Sequence, residues 1–120
     1  MNKDLDRVMA DKAMGWEERS VLGQVVYWYD GHNKVYEDAW RPSLRIEQAM
    51  ECLQEALQSG RVQVYDMIVD TELKVTMVSL YIYKKGKTIL IGYGRNSKTT
   101  PDALAEAICL ALKEVAENEQ

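Results

Sequence analysis

The sequence predicts an α+β fold: an antiparallel sheet of three or more strands with helices packed on it, arranged as a three-layer α/β/α sandwich. Three observations carry that expectation. Residues 99–116 repeat as a helix that is apolar around most of its circumference. Residues 61–93 contain three strand-like runs joined by short turns, which makes their sheet antiparallel. The middle run, 72–84, is apolar on both faces, so a sheet with one wet face does not suit it. The element order is α-(ββ)-α-β-β-β-α, and residues 1–120 form one domain with no linker or repeat.

The last helix is the most strongly specified element. Thr100 is its N-cap, and Pro101 takes the first helical position, where the missing N–H costs nothing. Asp102 and Glu106 lie near the positive end of the helix dipole and Lys113 toward the negative end. Leu104, Ile108, Ala111, Leu112 and Val115 recur at three- and four-residue steps, and Ala105, Cys109 and Ala116 widen the stripe. A helix this apolar requires a sheet to lie on.

From the start of the chain, residues 4–14 form a short amphipathic helix ended by Gly15, and Trp16 folds back onto the core. Residues 17–24 are polar without periodicity and read as a loop. Residues 25–29 and 34–36 flank Asp30-Gly31-His32-Asn33 as a β-hairpin. Ser43 caps a helix over 44–58 that buries Ile46, Ala49, Met50, Leu53 and Leu57 and closes at Gly60. Strands follow over 61–69, 72–84 and 88–93, with a turn at Lys84-Lys85-Gly86-Lys87. Leu110 falls among Glu106, Lys113 and Glu117 on the wet side of the last helix. With the surplus apolar surface of the middle strand, it points to a homo-oligomer.

The net charge of −4 makes the whole molecule repel polyphosphates, which disfavours nucleic acid as a partner. The start MNKDLDR is no signal peptide, no run is apolar enough to span a membrane, and a cytoplasmic location is expected. Cys52 and Cys109 fall in apolar helical patterns and read as reduced core thiols. The single histidine, His32, sits on a hairpin tip with no nucleophile motif to pair with. Structural zinc needs four paired Cys/His ligands, which this chain lacks. Asp66 and Asp70 read as a bulge and a turn and not as a metal pair. No catalytic residue, metal site or cofactor is expected, and the chain does not read as an enzyme.

Two groups of residues are candidates for binding. Tyr27, Trp28, Tyr29 and Tyr36 on the hairpin offer amphipathic contact area of the kind enriched in protein interfaces. The run Gly92-Tyr93-Gly94-Arg95-Asn96-Ser97-Lys98-Thr99 joins the last strand to the last helix and is one residue from a Walker A motif, with Ser97 where glycine belongs. Ser97, Pro101 and the short chain argue against an NTPase. Arg95, Lys98, Thr99 and Thr100 still surround a helix start, where free N–H groups favour a small anion.

Three pieces of the chain carry a family resemblance. They are Val8-Met9-Ala10-Asp11-Lys12-Ala13-Met14-Gly15-Trp16, Trp40-Arg41-Pro42-Ser43, and Ala107-Ile108-Cys109-Leu110-Ala111-Leu112-Lys113. In their order and spacing they resemble the phage "ABA sandwich" family of small bacteriophage and prophage proteins. The resemblance implies the α/β/α fold and a phage origin and supplies no known activity. The order of elements from 44 to 116 also resembles a double-stranded-RNA-binding domain. That family's last helix opens with phosphate-gripping lysines, whereas this one opens Pro101-Asp102-Ala103-Leu104-Ala105-Glu106, so this alternative is disfavoured. The sequence therefore points to a non-enzymatic phage accessory protein that binds a host protein, as an anti-defence factor. A sequestering binder of a small anionic ligand, such as a nucleotide signal, is the alternative.

Overall fold

Backbone meets backbone where the last helix crosses the last strand, and two glycines make that contact possible. In the computed structural model, which describes residues 2–119, β6 (Lys87–Asn96) runs against α3 (Pro101–Asn118). A Cβ at Gly92 would collide with the carbonyl of Ala111, and one at Gly94 with the carbonyl of Ala107, each at well under 3.0 Å. Only a residue without a side chain lets strand and helix come this close. Ala107 and Ala111 are fully buried and keep that side of the helix flat.

β6 pairs antiparallel with β5 (Val75–Lys84), which pairs antiparallel with β4 (Val64–Asp70), in the order β4-β5-β6. Lys85 (φ +53°) and Gly86 (φ +77°) form the tight hairpin turn between β5 and β6. Thr76, Val78 and Leu80 of β5 are fully buried on the face that meets α3. α1 (Lys3–Val8) is capped by Asn2, whose Oδ1 accepts the Leu5 N–H at 3.1 Å, and continues as a π-helical turn, Met9–Ala13. α2 (Ile46–Gln58) buries Ala49, Cys52, Leu53 and Ala56. Both pack against α3, whose Ala105, Ile108, Cys109 and Leu112 are buried in the same core.

A second antiparallel sheet has the order β1 (Glu17–Val21), β2 (Gln24–Tyr29), β3 (Lys34–Tyr36). It joins the body through Trp28, which is buried in the common core. Trp16 does fold back, its ring 4.5 Å from that of Trp40 between centroids.

The fold is thus α+β, with helices packed on an antiparallel three-stranded sheet. Several boundaries differ from the sequence reading, each for a physical reason. The loop expected over 17–24 is the strand β1 and a turn. Every residue of β1 is exposed, so no alternation marks it, and its pairing with β2 defines it. The second helix starts at Ile46, not 44, and Ser43 does not cap it: its hydroxyl, the capping group, donates to the Asn2 carbonyl at 3.4 Å, and its N–H donates to the Asp6 carboxylate at 2.8 Å in the interior. The last strand reaches Asn96, so residues 92–96 of the expected loop are ladder.

α3 covers one face of the β4–β6 sheet over β5 and β6, while on β4 the same side leaves Tyr65 and Val69 exposed. The expectation of a helix layer on the other face is not met, because α1 and α2 stack on α3 instead. That outer face carries Ile68, Tyr83, Leu90 and Tyr93, all exposed. Tyrosine tolerates water at its hydroxyl end, which is how an apolar-looking strand remains wet on one side.

Gly94→Ala should cost about 3 kcal/mol or more, because the clash is with helix backbone that cannot rotate away. Gly86→Ala, strained only by its turn, should cost about 1 kcal/mol. Urea melts of the two variants check the difference, and a Gly94→Ala loss no larger than that of Gly86→Ala would contradict the close packing.

Candidate functional site

Cross-strand register sorts the hairpin aromatics onto two faces. Tyr27 lies opposite Tyr36 and Arg19, and Tyr29 lies opposite Lys34 and Glu17, so these residues share one face. Trp28, opposite Val35 and Glu18, shares the other. Trp28 is only 3% exposed and belongs to the core, which removes it from the expected binding group. Tyr36 is 51% exposed, and Tyr27 and Tyr29 are half-buried.

The tyrosine face is held by its own contacts. The Tyr27 and Tyr36 rings meet edge to face with centroids 6.0 Å apart, and Lys34 Nζ lies 5.0 Å from the Tyr27 centroid. Arg19 pairs with Glu17 at its edge. The turn that joins β2 to β3 is closed by Asp30, whose Oδ1 accepts the N–H groups of Asn33 (2.6 Å) and His32 (2.8 Å). Those donors hold its carboxyl below the usual carboxylate range. His32 is exposed at the tip.

Behind Trp28 is a cleft lined by Asp6, Arg7, Glu37 and Trp40, with room for about 60 Å³. Three of the charged groups at its wall, Asp6, Arg7 and Glu37, already have partners. Arg7 donates from Nε (3.1 Å) and Nη2 (2.8 Å) to Glu37 Oε1. The Asp6 carboxylate takes the Ser43 N–H, and the Asp6 carbonyl takes Trp40 Nε1–H at 3.0 Å. The space suits a few waters, well short of the several hundred Å³ of a metabolite pocket. The cleft is a structural corner. The sequence reading misses its buried carboxylate, although Asp6 sits in helical register with Met9, Ala10 and Ala13 on the buried side of that segment.

The expected anion loop is divided by the sheet. Arg95 is in β6 opposite Met77, on the face away from α3. Lys98, Thr99 and Thr100 lead into α3 on the other side. The Lys98 backbone is committed on both sides: its N–H donates to Asn96 Oδ1 at 2.9 Å, and its carbonyl accepts from Thr76 Oγ1 at 2.8 Å. Thr100 is the N-cap but makes no side-chain bond to the helix backbone. Its hydroxyl instead bonds the Asp102 carboxylate, which is held below its ordinary value of 3.8 chiefly by that bond. The negative charge that a helix start favours is supplied by the chain itself.

Burial pushes the Cys52 thiol up to about 12 and the Cys109 thiol well above its usual value, so neither is a nucleophile at neutral pH. Among the described residues no group of three or more His, Cys, Asp or Glu is placed to hold a metal ion. No helix among them is long and apolar enough to cross a membrane. No protein-family model matches the chain, and neither a curated protein nor a solved structure matches it.

The lowered Asp102 value has a sign. A carboxylate with a depressed folded-state pKa contributes stability above its unfolded value, and that contribution is lost as pH falls through the folded one. Asp102→Asn should therefore melt below wild type at neutral pH, and the gap should close in melts taken progressively below pH 3.8. A gap that does not change with pH would contradict the helix-start role.

Proposed function

We propose that this is a non-enzymatic binding protein that engages another protein through the face of the small sheet carrying Tyr27, Tyr29 and Tyr36. The observation that carries the reading is the convergence of three tyrosines on one wet face, while Trp28 on the opposite face anchors the sheet in the core. Tyrosines flanked by Arg19 and Lys34 combine broad apolar contact, hydrogen-bonding ends and little rotamer entropy to lose, a composition typical of interface centres. The resemblance to the phage ABA sandwich family supports a phage origin, and in that setting the partner we propose is a host protein in the bacterial cytoplasm, engaged to interfere with a host defence.

Affinity capture from bacterial lysate tests this, with wild type compared with the Tyr27→Ala/Tyr36→Ala double variant. Both rings lie on the face away from Trp28 and the core, so the double variant should still fold, and its melt is taken as the control. Wild type should retain a host protein that the double variant loses at least tenfold. Equal recovery by both would remove the hairpin face from the account.

A further inference from the structure

The uncovered face of the β4–β6 sheet has a charge pattern that selects its occupant. Three rows cross it: Val64, Tyr81 and Leu90; then Asp66, Ser79 and Tyr93; then Ile68, Met77 and Arg95. Gly92 and Gly94 face α3, so Tyr93 and Arg95 between and beyond them face outward, and the register carries Asp66 and Ile68 to the same side. Ile68 and Leu90 are 50% and 52% exposed. Six of these nine residues are aliphatic or aromatic, interrupted by Asp66, Ser79 and Arg95, and so much apolar surface on an open sheet face is unusual on a monomer that stays alone in water.

The geometry points to a two-fold homodimer in which this sheet face packs on its own copy, with the axis running nearly along β5. Such an axis sets β4 of one protomer over β6 of its partner. Asp66 and Arg95 are the central charges of the face, on opposite outer strands and on adjacent rows, about 7 Å apart along the strands at ~3.3 Å per residue. The operation brings each Asp66 beside the other protomer's Arg95, twice, across sheets about 10 Å apart. An axis across the strands would instead lay β4 on β4 and bring Asp66 toward Asp66, a like-charge contact in the middle of the interface.

The ends of the sheet favour the other choice, since an axis along β5 gathers the two turns carrying Lys84, Lys85 and Lys87 at one end. Those lysines are exposed and screened within about 10 Å, whereas Asp66 and Arg95 lie where water is excluded on docking. The central pair decides the axis. The footprint is three strands wide, toward the lower limit for stable interfaces, so association is reversible and concentration-dependent. This surface is separate from the tyrosine face of the small sheet, and the dimer stands or falls independently of the partner reading.

Sedimentation velocity on the whole chain, from about 1 μM to about 1 mM, tests it. The mass should rise from 13.8 kDa toward twice that value. Asp66→Arg should weaken the dimer at least tenfold, and Asp66→Arg combined with Arg95→Asp should restore it, while circular dichroism melts confirm that each variant folds. A mass of 13.8 kDa throughout would overturn the dimer. Association that Asp66→Arg leaves unchanged or strengthens would overturn the proposed face and axis.

Discussion

The contact of α3 with β6 at Gly92 and Gly94 sets the position of everything else. Because the two backbones touch, α3 lies low on the sheet, and its alanines leave no room for a second layer between them. Much of the remainder of its circumference is apolar, with Ala105, Ile108, Cys109 and Leu112 all buried. α1 and α2 are drawn to that side, since an apolar helix side in water is costlier than the partly aromatic outer face of the sheet. One close approach therefore explains why all helices gather on one face and why the other remains open.

A polar corner ties α1 to the Trp40–Ser43 segment that follows the small sheet. Asp6 is a buried carboxylate on a short helix, and it is satisfied by the Ser43 N–H while its carbonyl takes the Trp40 indole. An unpaired carboxylate there would cost several kcal/mol, so the Trp40–Ser43 turn must hold its place for α1 to fold. Trp28 packs into the same core from β2. The anchored sheet presents its other side, with Tyr27, Tyr29 and Tyr36, to solvent. The molecule thus exposes two aromatic faces from two different sheets, one polar and tyrosine-rich, the other more aliphatic with a single acid and a single base at its centre.

The parts legible in the sequence are those whose pattern depends on burial. The periodicity of 101–118 shows in its own residues because most of its circumference is covered, and the hairpin at Asp30–Asn33 shows in its turn chemistry. β1 is illegible because it is wet on both faces and exists only through its partner strand. Gly92 and Gly94 are visible as residues, yet glycines near a strand end look like punctuation, and only the facing alanines give them a packing role. Ser43 has the chemistry of a helix cap but turns its hydroxyl to the Asn2 carbonyl and its N–H to the Asp6 carboxylate, a tertiary choice that local sequence does not encode. The separation of Trp28 from its neighbouring tyrosines is written in the period of two, and grouping the four aromatics together overlooks it.

If the α3–β6 contact is the foundation, the α3–β5–β6 unit must be the last part of the molecule to open. Native-state hydrogen exchange measures this residue by residue. Amides in the centres of β5, β6 and α3 should exchange slowest and share one opening free energy equal to that of global unfolding. Those of β1 to β3 should exchange through a smaller opening that leaves the rest intact. Slower exchange in the small sheet than in α3 would contradict the account.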